Sequence, residues 1–60
     1  MKPVEERKAR GWLRANCNNF DGNVALMADA VCDFMNLYLD DGSVPERLIE
    51  LAKEVLETHK

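Results

Sequence analysis

The sequence predicts an all-α fold: a small three-helix unit in which a helical hairpin is followed by a third, amphipathic helix. Apolar residues recur at helical spacing through most of the chain. Turn-forming residues interrupt that spacing at 18–23 and again at 40–43. Aromatic and β-branched residues do not alternate as they would in a strand. Sixty residues provide for one domain, so 1–60 is predicted to be a single helical domain.

The first helix is predicted over about 3–17. Pro3 suits a first helical turn, and Glu5 and Glu6 favour the positive end of the helix dipole. Gly11 costs about 1 kcal/mol relative to alanine in a helix interior, so this helix is expected to be the least secure and to start late or kink. Phe20, in the turn that follows, is expected to close one end of the core.

The second helix is predicted over 23–40. Asn23 or Asp21 can cap its start, because a short side-chain oxygen can accept a hydrogen bond from a free backbone N–H there. Gly42 is expected to end it in the left-handed conformation that glycine adopts readily.

The apolar content of this second helix predicts a dimer. Over 24–39, thirteen of sixteen residues are apolar, and a helix apolar nearly all round is normally buried nearly all round. A chain this short has little else with which to bury it. We therefore expect a homodimeric helical bundle with a shared core, in which Phe34→Ala would cost about 3–5 kcal/mol. The residues assigned to that dimer core are Val24, Met27, Val31, Phe34, Met35 and Tyr38.

The third helix is predicted over 44–59. Ser43 and Glu46 have the spacing of a capping box, and Pro45 is tolerated in a first turn. Leu48, Leu51 and Val55 lie on one side of this helix, opposite charged residues. Because the connections are short, successive helices are expected to be antiparallel neighbours.

Catalysis is poorly supported by the sequence. The single histidine, His59, is the penultimate residue, and no nucleophile elbow, phosphate-binding glycine loop or zinc spacing is present. Cys17 and Cys32 are two thiolates short of a structural zinc site. In the predicted hairpin they lie about 10 Å apart along the helices, too far for a disulfide. We expect reduced structural cysteines, no catalytic residues, no metal and no cofactor.

A cytoplasmic protein without membrane contact is expected. Residues 2–7 do not begin a secretory signal, since no apolar stretch follows the basic start. The apolar run 24–39 is shorter than the ~20 residues of a membrane crossing, and it contains Asp29 and Asp33.

Charge is unevenly distributed. The first fourteen residues hold five Lys/Arg and two Glu, a net charge of +3, while the remainder holds three and nine, a net charge of −6. Arg7, Arg10 and Arg14 share an arc of about 60° on the first helix and could bind phosphates. The acidic face of the third helix opposes this, so a solvated face, or ion pairing with the second helix, is favoured.

A line of polar residues on the second helix has two interpretations. Asp29, Asp33 and Asp40, with Asn36, fall on one side of the predicted helix. They could be the one strip that meets water, or a docking surface for a basic partner.

The predicted function is that of a non-catalytic interaction protein, an adaptor, regulator or inhibitor that binds an unidentified protein partner, as a homodimer. Two alternatives remain. One is a nucleic-acid-associated protein that binds through the arginine face, and the other is an acidic nucleic-acid mimic that binds a basic DNA-handling protein. The residues expected to carry the interaction are Arg7, Arg10, Arg14, Asp29, Asp33 and Asp40.

Overall fold

A computed structural model of the protein describes the backbone of residues 3–58 and the side chains of residues 5–58. It contains α1 (Pro3–Asn16), a short 3-10 helix (Cys17–Phe20), α2 (Val24–Met35) and α3 (Glu46–Thr58), and residues 3–58 form no strand. The all-helical, three-helix prediction is confirmed. The Cα radius of gyration is 10.4 Å, which matches the roughly 10 Å of a compact chain of this length. The predicted end of the third helix, His59, lies outside the described residues.

The core lies where the three helices meet. α3 packs against both α2 and α1, and every helix contributes fully buried side chains. Both cysteines are free and buried in this core, and burial raises the pKa of the Cys32 thiol. A thiol with a raised pKa is protonated and unreactive at neutral pH. The core residues are Ala9, Leu13, Cys17, Met27, Val31, Cys32, Leu48, Leu51, Ala52 and Val55.

The connection between α1 and α2 is tighter than the turn the composition predicts. α1 continues through Gly11, and the 3-10 helix takes the chain directly from its end to Phe20, which packs against the core as expected. Asn23 is the N-cap of α2: its side-chain oxygen accepts a hydrogen bond from the backbone N–H of Leu26 at 3.1 Å. The predicted cap is therefore confirmed at Asn23.

α2 ends at Met35, so the prediction of a helix to residue 40 is wrong. Asn36 adopts the left-handed conformation, with φ 56°. Its backbone N–H donates to the carbonyl of Asp33 at 3.2 Å, and the N–H of Leu37 donates to the carbonyl of Cys32 at 3.0 Å. This pair of hydrogen bonds is the Schellman motif, in which asparagine is the usual substitute for glycine.

The chain then forms a second turn, and Gly42 belongs to that turn and not to the end of α2. The backbone N–H of Gly42 donates to the carbonyl of Leu39 at 2.9 Å, and the N–H of Leu39 donates to the carbonyl of Ser43 at 3.1 Å. Gly42 has φ 83°, which only glycine adopts without strain. Asp40 is consequently in a turn and not on the helix.

The predicted capping box at Ser43 is also wrong, because α3 begins at Glu46. The backbone N–H of Ser43 instead donates to Oδ1 of Asp41 at 2.9 Å, a local aspartate turn that competes with capping. Val44 precedes a proline, which disfavours the helical conformation at that residue. The carbonyl of Pro45 accepts the N–H of Leu48 at 3.0 Å.

Within the described residues, no helix is both long and apolar enough to cross a membrane.

Candidate interaction surface

Among side chains 5–58, the large apolar ones that remain exposed lie on α2 and the segment that follows it. Leu26 is 53% exposed, Phe34 58%, Tyr38 40% and Leu39 53%. Two of them, Leu26 and Phe34, lie eight residues apart on α2 with the half-buried Ala30 midway between them. Residues four apart are neighbours on a helix surface, so these three form a continuous row, about 12 Å long at 1.5 Å per residue. We call Leu26, Ala30 and Phe34 the α2 ridge.

Trp12 supports one end of the α2 ridge. Its ring stacks on Phe34 with centroids 5.7 Å apart and an interplanar angle of 27°. On α1 the same tryptophan also contacts Phe20, with centroids 6.0 Å apart and planes tilted by 38°. Phe34 is therefore exposed on one side and held in place on the other.

Two exposed carboxylates lie beside the ridge. Asp29 and Asp33 are one helical turn apart on α2, as the sequence predicts, and both are exposed. The predicted acidic line stops there. Asn36 terminates the helix and Asp40 lies in the following turn, so the structure removes both from that face.

The segment after α2 is hydrogen-bonded to Asp29 through Tyr38. The hydroxyl of Tyr38 donates to Oδ1 of Asp29 at 2.7 Å and lies 3.0 Å from the backbone oxygen of the same residue. The hydrogen bond to the Asp29 carboxylate raises the pKa of Tyr38 to about 12, because ionisation would lose that bond and place two negative charges together. At neutral pH the contact is intact, and it holds Tyr38 alongside α2.

The charge on α2 and on the segments that flank it in the sequence is of one sign. Residues 15–46 include five aspartates and one glutamate but no lysine, arginine or histidine. α2 itself has no basic residue in its last turn, where a cation would complement the helix dipole. The face is both apolar and acidic.

Most of the residues assigned by the sequence to a dimer core lie inside a single chain. Met27 and Val31 have no exposed surface, and Val24 and Met35 pack against the same core. α1 and α3 cover them, so the argument that one chain cannot bury α2 is wrong for this side of the helix. Only two of the six, Phe34 and Tyr38, are exposed.

Leu26 and Trp12 are functional candidates that the sequence analysis missed. On a helical wheel, Leu26 falls next to Asp33 and opposite the arc of buried residues. That position could have identified it as a residue facing solvent. No sequence signal placed Trp12 against Phe34, because the packing angle of α1 on α2 decides that contact.

The arginine face of α1 is partly used in ion pairs with α3. Arg10 Nη2 lies 3.0 Å from Glu54 Oε2. Arg47 Nε pairs with Glu6, and its Nη1 lies 3.1 Å from Glu50 Oε2 and 4.0 Å from Glu54 Oε1. Ion pairing was expected, but with carboxylates of the second helix; the partners are on α3, because α3 and not α2 lies beside this face.

An open groove of about 240 Å³ lies beside these pairs. It is lined by Glu6, Arg7, Arg10 and Arg47, with three guanidinium groups and one carboxylate. Arg7 and Arg14 are exposed and form no ion pair with side chains 5–58. Three arginines do line up on α1, as predicted, but among them only Arg10 is paired with a glutamate in the described part of the chain.

Among the described residues, no group of three or more His, Cys, Asp or Glu is placed to hold a metal ion. Comparisons with protein-family models, with curated proteins and with solved structures found no match to this chain, so the surfaces described above carry the functional argument.

Proposed function

We propose that this chain is a non-catalytic interaction protein, an adaptor, regulator or inhibitor that acts by binding another protein through the α2 ridge. One observation carries the proposal: Leu26 and Phe34 are more than half exposed on a helix that also supplies core residues. Contiguous exposed apolar surface on a small protein is typical of a binding site. The rigid aromatic anchor at Phe34 is the kind of residue that dominates binding energy.

Nucleic-acid binding through the arginine face is the less favoured alternative. Phosphate binding gains affinity by releasing counterions from cations that meet the backbone. Arg10 and Arg47 are already paired with glutamates, and those carboxylates would repel a phosphate chain. Mimicry of nucleic acid has limited support too, because α2 carries two carboxylates over about 6 Å, against one charge per ~1.7 Å in duplex DNA.

Self-association remains a proposal, now restricted to a smaller surface. A homodimer through α2 would have to use the ridge, because Met27 and Val31 are buried within each chain. We also propose a cytoplasmic location, for which two free, buried cysteines are the support.

Site-specific photo-crosslinking tests these functions together. A benzophenone amino acid replaces Leu26 on the ridge or, as the matched control, Ala15 on the exposed face of α1. Each protein is irradiated in an extract of the cells that make it, with and without nuclease. We expect protein adducts at position 26 that are absent at position 15.

The other outcomes are equally distinct. An adduct of twice the chain mass, at position 26 only, identifies a homodimer. Nuclease-sensitive adducts at position 15 alone would indicate that the protein binds nucleic acid through the arginine face of α1. Equal adducts at both positions, or none at position 26, would contradict binding through the ridge.

A further inference from the structure

We infer that the partner presents a basic amphipathic helix, which packs across the α2 ridge with an apolar side chain over Ala30 and Lys or Arg side chains facing Asp29 and Asp33. This inference rests on the proposed function and specifies the chemistry of the partner at the same site.

The shape of the ridge suits a helix. Leu26 and Phe34 are large and project on either side of the small Ala30, so the ridge has a notch between two knobs. Packed helices approach to 8–10 Å by placing side chains of one into gaps on the other. A partner side chain seated over Ala30 would contact both knobs. Because Phe34 is already stacked on Trp12, its ring loses little freedom on binding.

The charge selects a basic partner. Asp29 and Asp33 are exposed beside the ridge, and the nearest cations in the sequence are at positions 14 and 47. Asp33 lies near the C-terminus of α2, where the helix dipole favours a cation. Asp29 and Asp33 therefore do not stabilise α2 as a helix, whereas they complement Lys or Arg side chains on a partner helix that crosses the ridge.

A second copy of this chain fits the surface less well. Pairing α2 with α2 about a twofold axis brings the same two aspartates of each copy into one interface, where like charges repel. Among side chains 5–16, the cationic face of α1 exposes no large apolar side chain to fill the notch, since the exposed residues there are Arg7, Lys8, Gly11, Arg14 and Ala15.

Fluorescence of Trp12 provides the assay, because it is the only tryptophan and it touches the ridge. The full chain is titrated with a synthetic leucine–lysine peptide designed as an amphipathic helix. The control peptide has the same composition in an order that is not amphipathic. We expect saturable binding of the first peptide, at least about tenfold tighter than of the second, since only the first presents an apolar face.

Matched variants locate the binding. Asp33→Lys and Glu57→Lys change the net charge equally, and both positions are exposed, but Glu57 is on α3. We expect Asp33→Lys to weaken binding about tenfold and Leu26→Ser to do the same. Glu57→Lys should change the affinity for the amphipathic peptide by less than about twofold. Circular dichroism confirms that each variant is folded.

Three results would overturn the inference: equal loss in Asp33→Lys and Glu57→Lys, equal affinity for the two peptides, or no binding. The first two indicate general attraction of a cationic peptide to an acidic protein. If any of the three results occurs while position 26 still forms protein adducts, the proposed function stands and only the basic character of the partner helix is wrong. If position 26 forms no adduct either, both fail.

Discussion

Phe34→Ala distinguishes a partly exposed ridge residue from a core residue. Complete burial of a phenylalanine makes its truncation cost about 3–5 kcal/mol. Phe34 is 58% exposed, so about two-fifths of its surface is buried, and that share corresponds to about 1–2 kcal/mol. Loss of the stacking on Trp12 adds about 0.5–1.5 kcal/mol. We therefore expect a total loss of about 1.5–3.5 kcal/mol.

The internal control is Met27→Ala, two turns earlier on the same helix. Met27 has no exposed surface, and truncation of a fully buried methionine costs about 2–5 kcal/mol. The unfolding free energy of a chain this size is about 3–9 kcal/mol, so Phe34→Ala should remain folded over all but the lower end of that range. We expect it to lose less stability than Met27→Ala although phenylalanine is the larger side chain.

Urea unfolding followed by circular dichroism measures both losses, at two protein concentrations tenfold apart. A loss of unfolding free energy in Phe34→Ala that equals or exceeds the loss in Met27→Ala would refute the exposure of Phe34, on which the definition of the ridge depends. If that larger loss also depends on protein concentration, Phe34 is buried by a second copy, and the homodimer is the correct assembly. A loss below about 0.5 kcal/mol would contradict the stacking on Trp12.

Three further predictions concern Tyr38, Asn36 and Arg47. The phenol of Tyr38, the only tyrosine, should titrate near pH 12 by tyrosinate absorbance, and Asp29→Asn should return its pKa toward the ordinary value of about 10. Since the folded pKa is the higher one, the stability from this contact is complete below about pH 10 and is lost as the pH rises to about 12; an identical titration in Asp29→Asn contradicts this. Asn36→Gly should raise the melting temperature by about 2–5 °C, and Asn36→Ala should lower it, because only glycine adopts φ 56° without strain; the reverse order in thermal unfolding would show that the Schellman motif is not formed. Arg47→Met should lower the melting temperature slightly at low salt and not at about 1 M salt, where surface ion pairs are screened; a loss that persists at high salt would indicate that the arginine stem, not its charge, stabilises the α1–α3 contact.

The helices themselves were predictable because their signals are local. Helical spacing of apolar residues and the cap at Asn23 depend on residues only a few positions apart. The end of α2 was also encoded locally, at Asn36, but thirteen flanking apolar residues over 24–35 and 37–39 made a longer helix more plausible. The aspartate turn at Asp41 displaced the expected cap at Ser43 by the same kind of local competition.

The candidate site was only partly predictable, because it depends on which helices are neighbours. Asp29 and Asp33 were placed on an exposed face correctly, since their spacing alone puts them together. The partner of Arg10 could not be assigned, because acidic residues are available on both other helices and only the packing selects Glu54. Met27 and Val31 were assigned to a dimer core for the same reason: periodicity cannot tell a side chain covered within its own chain from one covered by another chain.

Leu26 on the α2 ridge and Asp33 beside it are unfavourable for an isolated chain, and this supports the proposal that the ridge binds a partner. A sequence selected for folding alone would place a polar residue at position 26 and a cation near the end of α2. Here Leu26 is exposed and Asp33 lies close to the helix C-terminus, although other surface positions follow ordinary rules, such as the acidic first turn of α3. Both departures fall on the same face of one helix, beside an aromatic ring fixed by Trp12. A partner that covers Leu26 and neutralises Asp33 removes both penalties at once, and a basic amphipathic helix has the chemistry to do so.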